Sequence, residues 1–169
     1  MSGSGRARAQ ARTSGKTGKA SAELTAVQAA LAAEHAIVYG YGVVGGRIVE
    51  GRRTEARAAY DTHRARRDEL TRAVSDLGGK PEPAAAAYAL PFTVTDSESA
   101  VRLAAELEDR VAGVYSDLVR AAKGDRRRAA AQALREAAVR AVRWRGESVA
   151  FPGLAERSAT ATAPATPAS

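Results

Sequence analysis

The chain has 169 residues, 45% of them hydrophobic, 27% charged and none cysteine, with a formal net charge of +7. That length suits one domain with a single core, and the lack of cysteine excludes disulfides, thiolate metal sites and a cysteine nucleophile. Charge interrupts every apolar run well short of a membrane span, and no apolar signal core follows the basic N-terminus, so a soluble cytoplasmic protein with no membrane association is expected.

Residues 1–22 carry Arg6, Arg8, Arg12, Lys16 and Lys19 without a single acid, and hold most of the net charge. Their Gly, Ser, Ala and Thr content reads as a disordered basic tail that can bind nucleic acid or another polyanion weakly. Residues 156–169 are mostly Ala, Thr, Ser and Pro and read as a second disordered tail, which leaves 23–155 for the folded domain.

Four segments between the tails have helical periodicity and none alternates with the period of a strand, so the class is all-α. In the first, over about 21–50, Leu24, Val27, Leu31, Glu34, Val38, Tyr41, Gly45 and Ile48 share one face. Within it Gly40-Tyr41-Gly42-Val43-Val44-Gly45 spells a dinucleotide-binding pattern. That pattern needs a preceding strand, whereas AALAAEHAIVY is itself helical. The glycines are read instead as small residues that let a neighbouring helix approach closely.

The second segment follows a short link at Gly51 to Arg53, with Thr54 as its expected cap. It places Ala56, Tyr60, His63, Arg67, Leu70, Val74 and Leu77 on one face and stops at Gly78 and Gly79. From Gly78 to Thr95 the chain reads GGKPEPAAAAYALPFTVT, and three prolines forbid a continuous helix there. Eighteen extended residues span about 60 Å, against about 37 Å for a 25-residue helix. The link can therefore return along a bundle, with a short helical turn at Ala85 to Tyr88 and with Tyr88, Leu90 and Phe92 packed on its side.

The third segment, capped by Asp96 or Ser97, sets Val101, Ala104, Glu108, Val111, Tyr115, Leu118 and Ala122 on one face. The fourth, capped by Asp125, does the same with Ala130, Leu134, Ala137, Ala141 and Trp144 and closes near Gly146. Short, long, short connections describe a ferritin-like four-helix bundle with one long crossover between helices 2 and 3.

Glu34, His63 and Glu108 each fall near the middle of a helix and on its apolar stripe, so antiparallel packing brings them to one level of the core. Groups this costly to bury must pair with each other, with arginine or with a metal. Ferritin-like di-iron sites use a Glu from each of two helices and Glu-x-x-His from each of the other two. Here the carboxylate before His63 is replaced by Tyr60, and the fourth segment has no histidine. Glu34, His63 and Glu108 can hold one divalent ion, iron or manganese, with His35 and Asp109 beside them. The competing account is a metal-free network in which Tyr60, Arg67, Arg110 and Arg140 partner the buried groups, and a fixed cation such as Arg67 on the stripe repels a metal. Tyr41 and Tyr115 would then satisfy buried carboxylates through their hydroxyls, and Trp144 is read as core.

EHAIVYGYGVVGG, HRARRDEL, the proline-punctuated crossover, LEDR and RWRGESVAFPGL together resemble an actinobacterial ferritin-like domain family of unknown function, over about residues 23–154. The resemblance implies the bundle fold, implies no activity, and makes Glu34, His35, His63, Glu108, Asp109 and Arg145 the positions to watch. The reading that follows leans away from an enzyme. It is a bundle with a degenerate central site, no cofactor and a structural or interaction role, self-associating as a dimer and with no small-molecule substrate identified. Its alternatives are a metal-dependent oxidase or hydroxylase and a polyanion binder acting through the tail.

Overall fold

The computed structural model describes the backbone of residues 4–146 and the side chains of residues 22–146. Among the described residues there are four helices and no strand: α1 (Ser4–Arg47), α2 (Glu50–Asp76), α3 (Ser97–Ala121) and α4 (Gly124–Arg145). None of them is long and apolar enough to cross a membrane. The backbone of α1 begins well upstream of its apolar stripe, within the segment that composition assigns to a tail. The Ala, Arg, Lys and Gln there are good helix formers even with little apolar surface to bury. The expected tail at 156–169 lies outside the described residues.

The helix ends differ in detail from the sequence reading. α2 starts at Glu50, with Val49 extended before it, rather than at Thr54. A glutamate in the first turn suits the positive end of the helix dipole, so the first link shortens to Ile48 and Val49. α4 starts at Gly124 with Lys123 before it, so its cap position lies two residues ahead of the expected Asp125. Asp96 caps α3 as expected: its side chain accepts from the Ser99 N–H at 2.8 Å, and Ser99 Oγ accepts from the Asp96 N–H at 3.1 Å. A reciprocal cap of this kind stabilises a helix start by about 1 kcal/mol. Gly78 and Gly146 follow the ends of α2 and α4 with φ of 78° and 83°, a left-handed turn that glycine makes without a Cβ clash.

The Val49 N–H donates to Ser97 Oγ at 3.1 Å, so α3 begins at the end of the bundle where α2 begins. The connection from Leu77 to Asp96 must therefore travel the bundle's length. It climbs beside α1: Gln28 Nε2 donates to the Lys80 carbonyl at 2.7 Å, His35 Nε2 meets the Glu82 carbonyl at 3.1 Å, and the Tyr39 and Tyr88 rings lie 5.7 Å apart. Leu90 and Phe92 pack against the core as expected. The helical turn expected at Ala85 to Tyr88 is not formed, and the Ala85 N–H is satisfied by Tyr88 Oη at 2.9 Å instead.

α1 packs closely on α2 and α3, and α3 on α4, whereas no Cα of α2 comes within 8 Å of a Cα of α3 or α4. α2 and α3 therefore stand at opposite corners, and the long connection crosses between them. The core is Val27, Leu31, Ile37, Tyr41 and Val44 of α1, Leu70 and Val74 of α2, Leu103, Val111, Tyr115 and Leu118 of α3, and Ala137 and Trp144 of α4. On α1 the seam passes through Ile37 and Val44 rather than the expected Val38 and Gly45, because a 3.6-residue repeat drifts off a strict seven-residue pattern.

Candidate functional site

All four helices send polar groups to one buried layer. Glu34, His63 and Glu108 are each 0% exposed, so solvent satisfies none of them. His63 Nδ1 lies 2.8 Å from Glu34 Oε2 and His63 Nε2 3.1 Å from Glu108 Oε1. Tyr115 Oη donates to Glu34 Oε1 at 2.5 Å, and Tyr41 Oη donates to Glu108 Oε1 at 2.6 Å. Arg140 Nε donates to the same Glu108 oxygen at 2.7 Å, and Trp144 Nε1 donates to Tyr41 Oη at 2.9 Å. The Tyr41 ring stacks on the His63 ring, with centroids 5.6 Å apart.

A carboxylate only accepts hydrogen bonds, so an imidazole flanked by two carboxylates must donate from both nitrogens. The two flanking carboxylates favour the imidazolium form of His63, with the proton held by the triad as a unit. Arg140 Nη2 also lies 3.4 Å from His63 Nε2, a longer contact than the 3.1 Å between that nitrogen and Glu108 Oε1. Burial alone would lower the His63 pKa, but hydrogen bonds to Glu108 and Glu34 and their negative charges raise it above its ordinary value. For Glu108 burial acts upward and is outweighed by the His63 hydrogen bond and the charges of His63 and Arg140, so its pKa is lowered. Burial, then the neighbouring carboxylates, push the Tyr41 and Tyr115 hydroxyls upward, so both stay protonated donors.

This arrangement does not fit a metal. The two imidazole nitrogens face opposite edges of the ring and each is taken by a carboxylate, so Glu34 and Glu108 stand at opposite ends of His63 instead of converging on one point. Among the described residues no group of three or more His, Asp or Glu side chains is placed to hold an ion. Arg140, with its guanidinium on Glu108, occupies the cation's place beside that carboxylate.

The other expected partners lie elsewhere. Arg67 turns away to Asp68 at 2.8 Å and Arg110 binds Glu106 at 2.8 Å on the surface, since long flexible side chains beside a seam reach water more cheaply than they bury. Tyr60 is half-buried between Arg57 and Arg64, whose Cζ atoms lie 5.9 and 5.7 Å from its ring. His35 pins the crossover through Glu82, and Asp109 pairs with Arg145 of α4. Burial outweighs the Arg145 charge and raises the Asp109 pKa.

Two bridges from α2 to α4 go beyond the sequence reading. Arg66 of α2 pairs with Glu136 of α4, and its guanidinium lies 5.8 Å from the Tyr115 ring. Arg52 of α2 lies over the Trp144 ring at 4.1 Å and donates to the Arg143 carbonyl at 3.1 Å, capping the end of α4. The signal available was two arginines at helix positions 14 residues apart, both facing α4 across the wide side of the bundle; charge alone does not distinguish them from solvated neighbours.

A family profile described as "Domain of unknown function (DUF4439)" matches residues 26–156. Among solved structures, the chain is similar to a conserved hypothetical protein, rv2844, from Mycobacterium tuberculosis, with a TM-score of 0.73 and 38% identity over 75% of this chain and 96% of that one. No curated protein sequence matches.

Proposed function

The chain belongs to the DUF4439 family, and we propose that it is a ferritin-like bundle of the actinobacterial type in which a metal-free ionic layer has the place of a metal centre and serves a structural role. The short, long, short connections and the diagonal placement of α2 and α3 support the ferritin-like reading. The observation that carries the metal-free reading is the bridging of Glu34 and Glu108 by both nitrogens of His63. A buried ionic layer of this kind fixes the relative register of four helices, because sliding any one of them strands a charge. The protein's work is then an interaction role, as a dimer in solution, rather than catalysis.

The test has two parts. Protein incubated with ferrous iron or manganese under argon and desalted should retain less than about 0.1 metal per chain, since a working site must be occupied. Stoichiometric metal that disappears in His63→Leu would overturn the reading. Glu34→Ala and Glu108→Ala should each lower the melting temperature, and no loss in either would remove the register role.

A further inference from the structure

We propose that the groove between α1 and α2 at Gly42 and Gly45 binds a small flat anion, an aryl phosphate or aryl sulfonate in chemical class. The glycines of the Gly40-x-Gly42-x-x-Gly45 run have separate circumstances. At Gly40 an added Cβ would lie 2.5 Å from Leu107 Cδ1, so close packing of α1 on α3 accounts for it. At Gly42 and Gly45 an added Cβ would meet nothing within 4 Å, and neither has a left-handed φ. Glycine inside a helix lowers stability relative to alanine. At these two positions neither packing nor backbone conformation explains it.

What the two glycines leave is a cavity of about 290 Å³, with Gly42, Gly45 and Tyr41 on the α1 side and Arg53, Arg57 and Tyr60 on the α2 side. The bare helix backbone makes a flat floor, and the tyrosines supply apolar walls. Arg57 and Arg64 already flank the Tyr60 ring, and guanidinium planes of this kind stack on any aromatic face. Arg53 and Arg57 line the groove, each beside one carboxylate, Glu50 at 2.5 Å from Arg53 and Asp61 at 3.1 Å from Arg57, and Arg64 adds a cation against the Tyr60 ring. Both pairs are more than half exposed, so water screens them and an incoming anion can exchange with them. A flat ring on the glycine floor with its anionic group at Arg53 and Arg57 uses every one of these features.

The probe is 1-naphthyl phosphate, titrated into the intact chain and followed by its own fluorescence. One saturable site per chain is expected, with affinity reduced at least about tenfold in Arg53→Gln/Arg57→Gln. Inorganic phosphate and 1-naphthol should each bind at least about tenfold more weakly than the probe. Gly45→Leu should abolish binding without lowering the melting temperature, because its side chain enters open space and a glycine inside a helix is replaced by a better helix former; Gly42→Leu is the second filling variant. Failure to saturate by about 5 mM, equal affinity for inorganic phosphate, or binding unchanged in folded Gly45→Leu and Gly42→Leu would overturn the proposal.

Discussion

Arg140 Nε sits 2.7 Å from Glu108 Oε1, joining α4 to α3 at the one carboxylate oxygen that also accepts from Tyr41 and His63. Three donors on one oxygen, two of them cationic, are what allow a carboxylate to be ionised at zero exposure. The guanidinium is thus a condition of the layer's existence.

Replacing Arg140 by Met should leave Glu108 buried and short of a cation. Losing one partner of a buried pair costs roughly 3–5 kcal/mol, and urea denaturation should show it as a lower midpoint. The double variant Arg140→Met/Glu108→Gln should recover part of that loss. A single variant as stable as the wild type would show that the pair contributes nothing.

The titration directions set a pH window. His63 has a folded pKa above its ordinary 6.5, so its contribution is fully present below 6.5 and is lost as pH rises through the folded value. Glu108 has a folded pKa below its ordinary 4.5, so its contribution is fully present above 4.5 and is lost as pH falls through the folded value. The layer should stabilise most between those ordinary values. Melting temperature followed against pH should fall on both sides, and His63→Leu should flatten the alkaline fall. A wild-type alkaline limb matching that of His63→Leu would contradict the imidazolium assignment.

Gly40 and Gly42, separated by one residue on α1, should respond oppositely to alanine. Gly40→Ala drives a Cβ toward the methyls of the half-buried Leu107, which must shift, and should lower stability, by less than the overpacking of a fully buried core. Gly42→Ala meets open space and should raise it, by about 0.5–1 kcal/mol from helix propensity. Thermal melts of the two variants side by side decide it, and shifts of the same sign would refute the division.

Residues 1–22 hold five basic residues and no acid, and a polyanion-binding reading of the chain is tested there. Any binding to a short DNA duplex should be weak, should fall steeply between low and physiological salt, and should disappear on deleting residues 1–20. Affinity unaltered by the deletion would remove that segment as the agent.

The fold and the triad were legible because both rest on periodicity. Glu34, His63 and Glu108 sit at seam positions whatever the details of the turns, and the prolines of the crossover leave only one economical route between α2 and α3. Arg140 was legible as a partner because it lies one turn before Trp144 on α4. Arg67 and Arg110 were misplaced because an arginine side chain reaches far from its Cα, and seam spacing does not say which way it goes. Arg52 and Arg66 were not singled out as bridges because their partners lie about 90 and 70 residues away in sequence, Arg143 and Glu136 on α4.

Since α2 never draws within 8 Å of α4, the tight interhelical packing forms an open series, α2 to α1 to α3 to α4, fastened at its free ends by Arg52 and Arg66. A fastening made of ions and hydrogen bonds answers to ionic strength more than to the loss of a methylene. Concentrated salt should therefore loosen this one flank ahead of the other three, and amide exchange would register it first on α2 and α4.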